Sequence, residues 1–143
     1  MFRFNKDIEY ALIALVELSR LAADEILSAR ELSDRYLIPY KLLARILQKL
    51  GADGILNSLK GSQGGYSLAL SPADVNLGRV IQAVRGTERI ADCLSEDGNC
   101  VQENCGCTIK PIIEVFQNKW IHFVENTTLA EITQPEVKFI EGI

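Results

Sequence analysis

All four cysteines of the chain, Cys93, Cys100, Cys105 and Cys107, fall in one stretch, CLSEDGNCVQENCGC, separated by six, four and one residues. The surrounding Gly, Asn, Asp and Ser favour irregular backbone, and nothing in the stretch can build a core. Thiolates are soft, charged donors, so a loop carrying four of them suits an iron-sulfur cluster, a tetrahedral zinc ion or a disulfide switch. No Gly-rich nucleotide loop, acid–base pair or second cofactor site accompanies them, so a small iron-sulfur electron-transfer protein or other redox enzyme is the weaker reading. The one histidine, His122, lies well past the loop and reads as a surface or interface residue.

The chain has 143 residues, 48% hydrophobic and 24% charged, which suits one core or a small domain with an appendage. No apolar run approaches the ~20 residues of a membrane span. The segment MFRFNKDIEYA carries charge where a signal peptide needs an apolar stretch. A cytoplasmic protein with no membrane partner is expected, and in that compartment clustered thiols serve as ligands or redox groups. Met1 to Ile90 holds 12 Lys and Arg against 10 Asp and Glu, whereas Ala91 to Ile143 holds 3 against 9. The acidic total disfavours indiscriminate polyanion binding and leaves room for a local basic surface.

The flanking elements must position the loop. Asn5 caps a helix from Lys6 to about Ala22 with one apolar face, and Ser28 to Glu31 is a capping box opening a short helix that ends near Tyr36. Pro39 and Gly51 delimit a third helix with Leu42, Leu43, Ile46, Leu47 and Leu50 inward. Only Leu37 and Ile38 join the second and third helices, a helix-turn-helix arrangement. Two strands, Ile55 to Leu59 and Tyr66 to Leu70, flank the turn Lys60-Gly61-Ser62-Gln63-Gly64-Gly65, whose glycines permit positive φ and close backbone approach. A hairpin in that place is the wing of a winged helix.

A helix from Leu77 to Arg85 follows, and Thr108 is expected to cap a long helix from Ile109 to Asn126, roughly 27 Å at 1.5 Å per residue. Its stripe of Ile109, Ile112, Ile113, Phe116, Trp120, Phe123 and Val124 calls for the first helix and a second subunit as partners. Thr128 to Glu131 is a second capping box.

The fold expected is therefore mainly α: a winged helix-turn-helix with a two-stranded β wing and a long C-terminal dimerisation helix. Residues 1–90 form the DNA-binding domain, 91–107 the cysteine loop, 108–132 the dimerisation helix with a short cap, and 133–143 a flexible tail. On that architecture Tyr40, Lys41 and Arg45 reach base edges in the major groove, and Ser28 and Arg30 hold the DNA backbone. Lys60 adds charge, and Gly61, Ser62, Gln63 and Gly64 form a wing tip for the minor groove. A solvated polar face is the plainer account of the same lysines and arginines.

Three segments carry a resemblance: IPYKLLARILQKL from Ile38 to Leu50, GSQGGYSL from Gly61 to Leu68, and LGRVIQAVRG from Leu77 to Gly86. They resemble the Rrf-two family of winged-helix regulators, with similarity from the first helix to about Ile132. The resemblance implies a homodimer on near-palindromic, double-stranded operator DNA, with the long helix as dimer interface. The family's iron-sulfur branch, which holds cluster-assembly regulators and nitric-oxide-sensing repressors, carries three loop cysteines that Cys93, Cys100 and Cys105 match. A 2Fe-2S cluster is favoured, with 4Fe-4S as the alternative. Some members add a histidine three residues after the last cysteine, where this chain has Thr108. Others use a carboxylate of the partner subunit's first helix, which Glu9 matches. Cys107 departs from the pattern and is the other candidate for fourth ligand. The function implied is a dimeric transcriptional regulator sensing iron-sulfur status, redox state or nitric oxide; a cluster-free thiol regulator of the same fold is the alternative. Ala44 stands where some relatives carry a glutamate that filters DNA sequences.

Overall fold

Asn5 opens the first helix by accepting the Asp7 backbone N–H on its side-chain oxygen at 2.9 Å, satisfying one of the donors a helix start leaves unpaired. The computed structural model describes residues 4–87, 89–94, 96 and 100–134. Helix α1, Lys6–Ser19, buries Ile8, Ala11, Ala14, Leu15 and Leu18. It stops short of the expected Ala22 because its last turn tightens: Arg20 N–H donates to Glu17 O and Leu21 N–H to Leu18 O.

Helix α2, Ala29–Tyr36, begins with the predicted capping box, Ser28 N–H to Glu31 Oε2 at 2.8 Å and Glu31 N–H to Ser28 Oγ at 3.1 Å. It ends at Leu37, whose φ of 54° is left-handed, and the Ser33 hydroxyl donates to Ile38 O at 2.6 Å to hold the turn. Helix α3, Tyr40–Ala52, then buries Leu43, Ile46, Leu47 and Leu50. This pair is the helix-turn-helix.

The wing follows as β1, Leu56–Leu59, antiparallel to β2, Gly65–Leu68, in the register Leu56 to Leu68 and Leu59 to Gly65. β1 starts one residue later than expected, and β2 is shifted, starting at Gly65 rather than Tyr66 and ending at Leu68 rather than Leu70. A third piece of backbone joins them, because Leu27 exchanges hydrogen bonds with Tyr66 at 3.1 and 2.7 Å. The segment between α1 and α2 therefore braces the wing.

Helix α4, Leu77–Arg85, is capped by Asn76 and closed by Gly86 at φ 79°. Helix α5, Lys110–Asn126, starts one residue later than expected, and Thr108 does not cap it. Pro111 sets that start instead, since its fixed φ and missing N–H suit a first turn without a side-chain acceptor. Helix α6, Leu129–Ile132, opens with the predicted Thr128 and Glu131 box. It returns to the head: Leu129 N–H donates to Val75 O at 2.7 Å, and the Leu129 side chain is fully buried. Of the expected tail, residues 135–143 lie outside the described residues.

Two apolar clusters hold these parts. The larger joins α1, α3 and α4 with Leu27, Leu32, Ile55, Val75 and Leu129. The smaller, Ile8, Leu77, Ile81 and Val124 with Trp120 and Phe123 against it, seats the C-terminal half of α5 on α1 and α4. Phe4 and Phe123 flank the Trp120 ring at centroid distances of 5.8 and 6.0 Å.

Candidate nucleic-acid interface and cysteine loop

Most of the expected DNA-contacting residues are exposed on the head. Tyr40, Lys41 and Arg45 are exposed on α3, as are Lys60, Gly61, Ser62 and Gln63 at the wing tip. Arg30 lies with its guanidinium 4.0 Å from the Tyr40 ring centroid, a cation–π contact that joins the starts of α2 and α3. Ser28 is half-buried and accepts the cap bond, so its role is first to start α2. Gly61 has φ 113°, whereas Gly64 and Gly65 are required by space. A Cβ at Gly64 would lie 2.1 Å from Leu59 O, and one at Gly65 2.7 Å from Leu27 O.

Arg45 has a partner that spacing alone did not reveal. Its Nη2 lies 3.6 Å from Asp7 Oδ2, and Arg85 Nη1 lies 3.8 Å from the same oxygen. By its place in the sequence Asp7 is a first-turn carboxylate that answers the helix dipole; the ion pairs add a second role. Nearby, Glu17 accepts from Arg35 and, at 2.5 Å, from the Tyr36 hydroxyl, fastening α1 to the end of α2. The Tyr36 bond and then the Arg35 and Arg20 charges hold the Glu17 carboxyl below its ordinary value, against the opposing effect of burial; the same bond raises the Tyr36 phenol.

Among the described residues of the cysteine loop are the 3-10 turns Asp92–Leu94 and Val101–Cys105. All four thiols are free, with Cys105 exposed and Cys93, Cys100 and Cys107 half-buried. Gly106, at φ 75°, makes the sharp link between Cys105 and Cys107. Contacts among the described residues fasten the loop to α5. Ile90 N–H donates to the side-chain oxygen of the buried Gln117 at 2.8 Å, and Lys110 pairs with Glu103, whose hydrogen bond raises the lysine.

Among the described residues no three His, Cys, Asp or Glu side chains stand together as a group able to hold a metal. The donor set nevertheless fits an iron-sulfur cluster in its chemistry: four free thiols in one loop, two of them flanking Gly106. Ligand sets of this kind assemble as the metal binds and the thiols give up their protons. Glu9 ion-pairs with Lys6 at 2.5 Å and lines a cleft of about 530 Å³ with Ile8, Ile81, Arg89 and Trp120. His122 is exposed, and Asn126 donates to its backbone oxygen at 2.8 Å. No described helix is long and apolar enough to cross a membrane.

A helix-turn-helix braced by a two-stranded wing, with a long outlying helix behind, defines a winged-helix DNA-binding regulator. The chain belongs to the Rrf2 family, described as iron-dependent transcriptional regulators, whose family model matches residues 4–135. It is similar to the transcriptional regulator NsrR of Halalkalibacterium halodurans, 25% identical over 128 residues that cover 90% of this chain and 88% of that one. Among solved structures it resembles T. potens IscR, with a TM-score of 0.73 at 20% identity over 99% of this chain and 94% of that one. It also resembles CymR, the global cysteine regulator of B. subtilis, with a TM-score of 0.71 at 19% identity over 93% and 97% of the two chains. These two likenesses concern the fold.

Proposed function

We propose that the protein is a dimeric regulator that reports iron-sulfur status, redox state or nitric oxide to operator DNA through a cluster held by its cysteine loop. The observation that carries this is four free thiols in a loop fastened to α5 by Ile90–Gln117 and Glu103–Lys110. The iron dependence in the family's description supports the same reading. Cys93, Cys100 and Cys105 would supply three ligands, and Cys107 or the partner subunit's Glu9 the fourth. A bound cluster would supply a centre sensitive to oxidation and nitric oxide. The chain's own residues do the rest: Lys41, Arg45 and Lys60 neutralise phosphates or reach bases, with Tyr40 held in place by Arg30. Gly61, Ser62, Gln63 and Gly64 bring the wing to the minor groove.

The exposed Ile109, just before α5, and Ile112, Val115 and Phe116 on it form the interface to a second copy. Two such heads meet half-sites about one helical turn apart, so fixing the loop beside α5 sets their spacing. The test is the visible spectrum of full-length protein purified without oxygen, with iron and sulfide counts. Cysteine-loop variants Cys93→Ser, Cys100→Ser and Cys105→Ser are expected to lose the absorbance and change affinity for a duplex enriched from random DNA by the parent protein. A colourless, metal-free parent that still responds to oxidants would leave a thiol switch in place of the cluster.

A further inference from the structure

The pairing of Arg45 with Asp7 bears on how α3 reads sequence. An exposed arginine on a reading helix has two uses on DNA. As a mobile cation it settles on any phosphate, which adds affinity without information. Held with its fork presented in one direction, it makes the bidentate contact that distinguishes a guanine.

The setting of Asp7 matches the second use. Its carboxylate, on a side chain 13% exposed, lies beside Arg45 on α3 and Arg85 on α4, while Asn5 fixes its backbone at the start of α1. The Arg45 side chain is itself 59% exposed, so pairing leaves much of the guanidinium open. Its charge is at the same time partly answered within the head, which lessens its pull toward an arbitrary phosphate.

We propose that Asp7 is a specificity-determining positioning residue: it aims Arg45 for base reading and restrains it from indiscriminate phosphate binding. This inference rests on the proposed use of Arg45 as a DNA reader. It assigns to α1 a part in sequence discrimination even though no α1 side chain need touch DNA.

Binding of full-length protein, purified without oxygen, to the enriched duplex and to a scrambled duplex of equal length tests it, in parent, Asp7→Asn, Arg45→Ala and the double variant. Asp7→Asn is expected to lower the ratio of the two affinities by about tenfold, within what one oriented arginine contact supplies. Most of the change should come from tighter binding to the scrambled duplex. In the Arg45→Ala background Asp7→Asn should leave the ratio where Arg45→Ala alone put it. Asp7→Glu, which keeps the carboxylate, should recover part of the ratio. Thermal melts of all variants separate these effects from unfolding. An unchanged ratio in a folded Asp7→Asn protein overturns the proposal, as does an equal loss with and without Arg45. If Arg45→Ala alone leaves the ratio at the parent value, the reading role of Arg45 itself falls.

Discussion

Gly65 packs against the Leu27 carbonyl so closely that a methyl group there must displace the backbone bracing the wing. Gly65→Ala is therefore expected to destabilise the fold by about 1–3 kcal/mol, the usual cost of overpacking, seen as a lower thermal midpoint. An unchanged midpoint would mean that the Leu27–Tyr66 bridge contributes little. The glycine-rich turn was legible as a wing, but the reason for its glycines was only half legible. Positive φ belongs to Gly61, while Gly64 and Gly65 answer the proximity of Leu59 and Leu27. One bridged leucine has no periodicity by which to announce itself. Glu17 gives a second expectation at this scale. Its folded pKa is depressed from the ordinary 4.5, so its contribution is complete above that pH and is lost as pH falls through the lowered value. Glu17→Gln should thus melt below the parent at neutral pH, with the gap closing in acid. A gap that persists undiminished at low pH would assign the effect to something other than the carboxylate's charge.

Among the elements, those with caps were the most legible. Asn5, Ser28, Asn76 and Thr128 each accept the backbone N–H that their position implied. At the start of α5 the hydroxyl of Thr108 resembles a cap, but Pro111 in the first turn sets the boundary one residue later. The apolar stripe of α5 was legible as a stripe, but not its division. Trp120, Phe123 and Val124 turn to the head, whereas Ile112 and Phe116 are 62% and 50% exposed. Aspartate at the exposed half should cost the monomer little and an association surface much. Ile112→Asp is accordingly expected to sediment as a monomer with its helical circular dichroism intact. Sedimentation identical to the parent would remove this half of α5 from the interface.

For the whole molecule, the order of head, loop and outlying helix could be read from the chain, and so could the concentration of acidic charge behind Ile90. A grouped set of ligands is not present among the described residues of one copy. In the proposed cluster the fourth ligand is Cys107 or the partner subunit's Glu9. Of Cys107→Ser and Glu9→Gln, one is expected to alter the visible spectrum of anaerobic protein and the other to leave it unchanged. Two unaltered spectra would exclude both residues.

The return of α6 fixes one end of α5 to the head. Leu129 plugs the head immediately after α5 ends, and Asn76 bridges Thr128 across the junction. The C-terminal end of α5, a rod of about 25 Å, is thereby bolted to the domain that meets DNA. At the opposite end Lys110 is paired with Glu103 of the cysteine loop, so one uninterrupted helix joins the segment that carries the thiols to the head.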